Sequence, residues 1–246
     1  MRLRHATATL LVTGLTVVAL VAGQRGSQHR APPRALAPLA PLTPVSTSAA
    51  PRPHRQPAVP NQVVAPAAPQ AFEIKGPAFK VHADVCPMPY VRPLDPPGDQ
   101  RHTVCWVDQD FGVAPGSAAK GTTYVLGHAW AEAPLVLNPM SVFAMNHVDR
   151  AHPRVEAGVR TYPITALNGY TITLRTTTGI LVYKIRRAFS VAKARAGDVP
   201  SVMDTRAPGR VVLITCAVHD GADVDENVIA YAYLTSSSAA RTQEPQ

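Results

Sequence analysis

The chain has 246 residues, enough for one domain with an appendage or for two small domains. Its formal net charge is +8, but the first 70 residues hold seven arginines and no acidic residue, which leaves 17 basic and 16 acidic residues in the remainder. Because the excess charge belongs to the N-terminal part, the composition excludes a folded domain that binds nucleic acid through clustered Lys and Arg.

The first 30 residues contain an uncharged, largely apolar stretch, 6–23, flanked by Arg2, Arg4 and Arg25. At about 1.5 Å per residue, a helix of this length just crosses a hydrocarbon core of about 30 Å. Secretory signals normally have a shorter apolar region and a small-x-small cleavage site, and "ALVAGQ" is a poor one. This predicts an uncleaved signal-anchor over residues 1–30, with a cleaved signal as the alternative. Both place the rest of the chain outside the cytoplasm, and the first places it at the cell membrane.

Residues 31–71 are predicted to be a disordered linker. Of the 25 prolines, 11 lie between residues 31 and 70, mixed with Ala, Ser and Thr. Such a segment has no apolar periodicity and builds no core, so it forms an extended, semi-rigid spacer. A proline-rich ligand for a partner is the alternative.

Residues 72–236 have the composition of a globular domain, and residues 237–246 are predicted to be a flexible tail. The sequence "MSVFAMNH" predicts a short helix over 140–147, with Asn138 as its N-cap. Four residues, "TTTG", join two β-type runs and predict a hairpin. Many short strands with Gly and Pro turns predict an all-β sandwich or barrel. The predicted strands are 102–108, 122–128, 170–175, 180–189, 211–216 and 227–234.

The chain has three cysteines, Cys86, Cys105 and Cys216. Thiols outside the cytoplasm tend to be oxidised, which favours a Cys86–Cys105 disulfide around the loop "PLDPPGD"; two unpaired buried cysteines are the alternative. Cys216 follows the apolar run "VVLIT" and is then left as a free thiol, which makes it a candidate nucleophile. A buried cysteine that acts only as a small apolar residue is the alternative.

A cysteine nucleophile needs an imidazole nearby, because the thiolate is the reactive form and a leaving amine must be protonated. His128 stands where the strand "TTYVLG" leaves the sheet and is the preferred partner of Cys216. His219, three residues after Cys216, is the alternative base, although a residue on that turn is expected to point away from the strand end. The other histidines considered are His82, His102, His147 and His152.

No close ligand pair such as CxxC or HxxxH occurs, so neither a metal nor another cofactor is predicted. The acidic residues are too scattered to define a calcium site.

Two stretches together resemble the sortase family of cysteine transpeptidases. They are Thr123-Tyr124-Val125-Leu126-Gly127-His128, similar to the family's Thr-Leu-x-Gly-His motif, and Val212-Leu213-Ile214-Thr215-Cys216, similar to its Thr-Leu-x-Thr-Cys motif. The ending "DENVIAYAYL" looks like the final strand of the actinobacterial class E and F members, and the stretch "PGS...GTTYVLGHAW", with the preceding strand "TVCWVD", also looks like that branch. The resemblance spans roughly residues 75–235, and the order of anchor, stalk and domain also matches.

The resemblance implies an eight-stranded β-barrel with one or two short helices, behind a membrane anchor and a Pro-rich linker. It implies that Cys216 attacks the carbonyl after the threonine of a Leu-Pro-x-Thr-Gly sorting signal and forms an acyl-thioester. His128 would protonate the leaving amine and deprotonate the incoming one. The implied partners are surface proteins that carry the signal and an amine acceptor, either a peptidoglycan precursor or a protein lysine.

One departure from the family concerns its arginine at the start of the last strand, thought to bind the substrate or the oxyanion. In this chain the position falls on Asp225 or Asn227. The candidate replacements are Asn227, which offers an amide donor, and Arg206 or Arg210, which precede the nucleophile strand. The loss of one oxyanion donor typically costs about 10²–10³ in rate, so an impaired enzyme is one expectation.

Three alternatives belong to other classes. L,D-transpeptidases are exported, β-rich and cysteine-dependent, but carry a Ser-His-Gly-Cys type motif, whereas Cys216 follows Ile214-Thr215. NlpC-type peptidases place the cysteine ahead of the histidine, the reverse of the order here. A sortase-fold binding protein at the cell surface would explain the missing arginine, but not the presence of both His128 and Cys216.

Overall fold

The computed structural model describes residues 63–240, which contain ten strands, two short α-helices and two 3-10 helices. The α-helices are α1 (Asn138–Met145) and α2 (Pro200–Met203), and the 3-10 helices span Thr165–Leu167 and Lys193–Asp198. The strands are β1 (Pro69–Lys75), β2 (Lys80–Pro89), β3 (Thr103–Gln109), β4 (Thr122–Gly127), β5 (Arg154–Glu156), β6 (Val159–Pro163), β7 (Thr171–Thr176), β8 (Gly179–Ala192), β9 (Arg210–His219) and β10 (Ala222–Ala239).

Eight of these strands form a closed barrel. Hydrogen-bonded neighbours follow the order β10-β9-β4-β3-β2-β1-β7-β8, and the pairing of β8 with β10 closes the ring. Neighbours in the ring are antiparallel, except for the parallel pairs β2–β3 and β4–β9. Strands β5 and β6 form a hairpin outside the ring, and β6 pairs with β8. The predicted eight-stranded barrel with one or two short helices is therefore confirmed.

All six predicted strands are present, and β7 and β8 form the predicted hairpin. Four strands escaped prediction: β1, β2, β5 and β6. The first of them begins at Pro69, and Val64 ahead of it is fully buried, so the folded part starts before the predicted boundary at residue 72. Strand β10 runs past the predicted boundary at residue 236, because Ala239 still pairs with Gly179 of β8.

Three predicted segments lie wholly or largely outside the described residues. They are the signal-anchor over 1–30, most of the linker over 31–71, and residues 241–246 of the tail. Within 63–240, no helix is long and apolar enough to cross a membrane.

The predicted N-cap role of Asn138 is wrong. Helix α1 begins at Asn138 itself, and Leu137 occupies the cap position without a side-chain hydrogen bond. The Asn138 amide instead holds the loop after β4: its Oδ1 accepts from the backbone N of Trp130, and its Nδ2 donates to the carbonyls of Trp130 and Ala133. The residue therefore joins the helix to the chain that follows His128.

The barrel wall separates two apolar clusters. One contains residues of all eight ring strands together with α1, so it fills the barrel interior. The other covers the outer face of β3, β4, β8, β9 and β10, and the segments 90–94 and 196–203 pack against it. Because side chains alternate between the two faces of a strand, the sequence position of each wall residue decides which cluster it joins.

Candidate active site

Cys216 lies on the outer face of β9. Val212 and Ile214 belong to the outer cluster, and the alternation of side chains puts Cys216 on the same face. Cys86 and Cys105 form the predicted disulfide between the parallel strands β2 and β3. Cys216 is thus left as the free thiol, and it is half-buried.

His128 follows β4, which runs parallel to β9 with Gly127 opposite Thr215. This register brings the next residue of each strand, His128 and Cys216, to the same end of the sheet. The Nδ1 atom of His128 lies 3.9 Å from the Sγ atom of Cys216. A Cβ at position 127 would meet the side chain of Leu137 at 2.7 Å, so a glycine here lets α1 pack directly beside the histidine.

The two side chains shift each other's titration in opposite directions. The hydrogen bond from His128 lowers the pKa of Cys216 below its ordinary value, although burial opposes this; the charge of Lys193 lowers it further. The same hydrogen bond raises the pKa of His128 against the effect of burial, and Asp95 raises it as well. Both shifts favour a thiolate–imidazolium pair, which is the reactive form of a cysteine nucleophile.

A cavity of about 360 Å³ opens beside Cys216 and His128. Its wall is mostly apolar, with aromatic and aliphatic side chains from the outer cluster and from the two covering segments. The principal apolar residues are Tyr90, Leu94, Phe111, Tyr124, Val202 and Met203. A cavity with this lining accepts apolar groups beside the thiol of Cys216.

A row of polar side chains borders the cavity at the ends of four adjacent strands. Asn227 on β10 is the cross-strand partner of Cys216, and its other neighbour is Val191 on β8. Lys193 begins the 3-10 helix directly after β8, two residues beyond Val191. Lys193, Asn227, Cys216 and His128 all line the cavity, and they belong to or follow the adjacent strands β8, β10, β9 and β4 in that order. Asn227 was among the candidates from the sequence, whereas Lys193 carried no sequence signal.

Arg210 and Arg206, proposed from the sequence as oxyanion donors, do not reach this site. Arg210 is six residues before Cys216 on the same strand, ~20 Å away at about 3.3 Å per residue. Its buried guanidinium donates to Thr122 Oγ1 at 3.1 Å and to the carbonyl of Asp204, so its role is structural. Arg206 is almost fully exposed at the same end of the barrel.

The remaining sequence candidates also lie away from the cavity. His219 is the last residue of β9, with Nε2 3.4 Å from Oδ2 of Asp220, and Asp225 is exposed within the irregular pairing before Asn227. The other histidines face other partners: His82 contacts Glu73, His147 contacts the Phe143 carbonyl and His152 contacts Asp149. His102 is exposed at the start of β3.

Two further residues at the site carried no sequence signal. Asp95, in the segment between β2 and β3, places Oδ1 3.0 Å from Nε2 of His128. Ser141, buried on α1, donates from Oγ to the carbonyl of Cys216 at 2.8 Å. Both are ordinary polar residues in sequence, and only the closure of the barrel brings them to the thiol.

No family profile matches the chain, and no curated protein matches it in sequence. In fold it is similar to solved sortases. Sortase A of Listeria monocytogenes is 16% identical with a TM-score of 0.43, covering 72% of this chain and 93% of that one. Sortase E1 of Streptomyces coelicolor, solved with a tripeptide in its active site, is 14% identical with a TM-score of 0.43, covering 74% and 98%. Sortase C-1 of Actinomyces oris is 14% identical with a TM-score of 0.40, covering 67% and 73%.

Proposed function

We propose that the chain is a sortase-like cysteine transpeptidase, of the actinobacterial class E and F type, acting on a Leu-Pro-x-Thr-Gly sorting signal. The observation that carries this proposal is the Cys216–His128 pair, 3.9 Å apart, at the mouth of an apolar cavity. The resemblance of the two strand-end motifs to those of sortases supports the choice of reaction and substrate.

In the first half-reaction, the Cys216 thiolate attacks the carbonyl carbon after the threonine of the signal. The tetrahedral intermediate then expels the amine of the next residue, which takes a proton from the His128 imidazolium, and an acyl-thioester remains on Cys216. The negative charge on the substrate oxygen forms next to Asn227, whose amide is a hydrogen-bond donor, and on the side from which Lys193 supplies positive charge.

In the second half-reaction, neutral His128 accepts a proton from an incoming amine as that amine attacks the thioester carbonyl. The sulfur leaves as a thiolate, and the new amide bond joins the two substrates. The acceptor in this proposal is a peptidoglycan precursor or a lysine of another protein. Both halves use the same ring nitrogen, Nδ1, which faces the sulfur.

The proposed location is the outer side of the cell membrane, with residues 1–30 as the anchor. The Cys86–Cys105 disulfide supports an oxidising compartment, because disulfides persist outside the cytoplasm. The long uncharged stretch at the N-terminus supports an anchor over a cleaved signal.

Mass spectrometry of the purified domain with a Leu-Pro-x-Thr-Gly peptide tests the function. We expect an adduct on Cys216 with the mass of the acyl fragment up to threonine, and its loss when an amine acceptor is added. Cys216→Ala is the control and should carry no adduct. Peptide binding by both proteins without any adduct would instead support a binding protein at the cell surface.

A further inference from the structure

Asp95 lies in the segment between β2 and β3, which covers one side of the cavity. Its Oδ1 atom is 3.0 Å from Nε2 of His128, while Nδ1 of the same ring faces Cys216. The carboxylate of Asp95 and the thiol of Cys216 therefore contact different nitrogens of the same imidazole ring. When the carboxylate accepts a hydrogen bond from a protonated Nε2, it fixes the tautomer of the imidazole. Nδ1 is then left as the base that faces the thiol.

We propose that Asp95 is a positioning residue: it orients the His128 ring and stabilises the imidazolium that forms when Cys216 loses its proton. The inference deepens the proposed function, on which it rests for the reaction itself. It places a third member behind the Cys–His pair and assigns a role to the segment between β2 and β3.

The Asp95 segment is tied directly to His128. Gln100, almost fully buried, donates from Nε2 to the carbonyl of Pro97 at 2.7 Å, and its Oε1 accepts from the backbone N of His128 at 3.2 Å. The backbone carbonyl of Gln100 also accepts from Val136, in the loop that follows His128. One buried amide thus fixes both the segment that carries Asp95 and the residue that Asp95 contacts.

The disulfide adds a second tether. Cys86 lies on β2 before the segment and Cys105 lies on β3 after it, so the bond joins the two strands from which the segment departs. The Asp95 carboxylate itself is 78% exposed. An exposed ion pair contributes little to global stability, so the contact is better suited to orienting the ring than to holding the fold.

Other ionisable groups also act on His128. Cys216 on β9 raises the His128 pKa most, burial lowers it, and Asp95 raises it. The remaining ionisable side chains that line the same cavity are Tyr90 and Arg92 beside Asp95, Tyr124 on β4, and Lys193 and Asp198 after β8. A test of Asp95 therefore needs a control that removes a carboxylate from the same segment without touching the ring.

Asp99→Asn is that control. Asp99 lies four residues after Asp95, is exposed, and its side chain accepts a hydrogen bond from the backbone N of Arg101, a role that asparagine can keep. The test variant is Asp95→Asn, and Asp95→Glu is the conservative variant. All three are made in the oxidised domain, in which Cys216 is the free thiol.

The first measurement is the rate of Cys216 alkylation by iodoacetamide as a function of pH, together with NMR titration of the His128 ring. Neither needs a sorting peptide, so both remain informative if the proposed function fails. In Asp95→Asn we expect a lower His128 pKa. The pH below which the alkylation rate falls should move upward, and alkylation at neutral pH should be slower than in the wild type. Asp95→Glu should recover part of each change, and Asp99→Asn should match the wild type.

The second measurement is peptide turnover. We expect a loss of kcat of at least tenfold in Asp95→Asn. This loss should be smaller than the ~10²–10⁴-fold that an acid–base group itself contributes. Two outcomes would overturn the proposal. If Asp95→Asn behaves as Asp99→Asn in alkylation and NMR, Asp95 does not position the ring. If Cys216 is alkylated faster and the peptide is turned over faster in Asp95→Asn than in the wild type, the segment between β2 and β3 shields the site. Normal titration changes without any peptide turnover would count against the transpeptidase and leave the positioning role standing.

Discussion

The hydroxyl of Ser141 donates a 2.8 Å hydrogen bond to the backbone carbonyl of Cys216, and the same oxygen accepts from the backbone N of Val218 at 2.8 Å. Strand β4 pairs with β9 only as far as Thr215, so the edge of β9 loses its strand partner at Cys216. One side chain from α1 replaces that partner by satisfying a carbonyl and an N–H group of β9. The helix that packs beside His128 therefore fixes the backbone of β9 at Cys216, the proposed nucleophile.

Ser141→Ala should both destabilise the domain and misplace the thiol. The substitution leaves a buried carbonyl and a buried N–H without their partner, at a cost of about 1–3 kcal/mol in the free energy of unfolding. We expect a lower Tm and slower Cys216 alkylation. Thr123→Val is the matched control, because it removes a buried hydroxyl that donates to Val113 toward the opposite end of β4. In Thr123→Val we expect a similar loss of stability but an unchanged rate of Cys216 alkylation. Equal alkylation rates in the two variants would show that Ser141 does not orient the thiol.

His128→Ala should abolish turnover, as should Cys216→Ala, whereas His219→Ala should reduce turnover less than about tenfold. A positioned acid–base group typically contributes about 10²–10⁴-fold to the rate, which is the role proposed for His128, and His219 does not line the cavity. Peptide transfer with a sorting-signal peptide and an amine measures the ranking. A greater loss in His219→Ala than in His128→Ala would show that the wrong imidazole has been assigned.

The pH dependence of alkylation should reveal the ion pair. Since His128 lowers the pKa of Cys216, the thiolate should form below the pH expected for an ordinary thiol. As pH falls, protonation of the sulfur should remove reactivity; as pH rises, the imidazolium loses its proton and the thiolate remains. In His128→Ala the midpoint should move upward, because burial then raises the thiol pKa with less opposition. An unchanged midpoint would mean that the pair does not form in solution.

Much of the fold was accessible from the sequence, because six strands are apolar or alternating runs bounded by turn residues. The four missed strands lack that signal: β2 carries Pro87 and Pro89, β1 starts in a proline-rich segment, and β5 and β6 are short. The Cys216–His128 pair was accessible because both residues follow strands in recognisable motifs. Asp95, Ser141 and Lys193 were not, since each reaches the site through tertiary pairing that their own sequence neighbourhood does not encode.

Lys193→Gln should raise the pKa of Cys216, because the ammonium beyond β8 favours the thiolate. The loss in alkylation rate at neutral pH should stay below about fivefold, since water and salt screen an exposed charge. Raising the ionic strength of the wild-type sample should reproduce part of the loss. Lys120→Gln is the control: it removes an exposed ammonium ahead of β4 that does not line the cavity. Equal losses of alkylation rate in the two variants would show that Lys193 acts only through the overall charge of the domain.

The oxidised domain should contain one titratable thiol after denaturation, and three after reduction. The Cys86–Cys105 bond closes a loop between residues 19 apart in sequence, so its loss should lower the free energy of unfolding by about 3 kcal/mol. A Cys86→Ser, Cys105→Ser double variant, compared by denaturant unfolding, measures that difference. Three free thiols in the oxidised protein, or a bond that uses Cys216, would contradict the assignment.

Asn227→Arg should increase the rate of acyl-enzyme formation with a sorting-signal peptide. Asn227 is the cross-strand neighbour of Cys216, so in the proposed reaction a donor at this position lies beside the substrate carbonyl. A charged donor in a sheltered cleft stabilises an oxyanion more than a neutral amide does, and removal of one such donor typically costs about 10²–10³ in rate. Asn227→Ala should accordingly slow acylation.

Single-turnover mass spectrometry of the Cys216 adduct measures these rates, and Ala222→Arg is the control for Asn227→Arg. It adds the same charge to an exposed position of β10 that does not line the cavity, and it should leave the acylation rate unchanged. Lys193 lines the same cavity, so a second cation at position 227 is repelled by its ammonium, and this repulsion offsets part of the expected gain in rate. A rate that falls in Asn227→Arg and holds in Asn227→Ala would place the oxyanion away from β10.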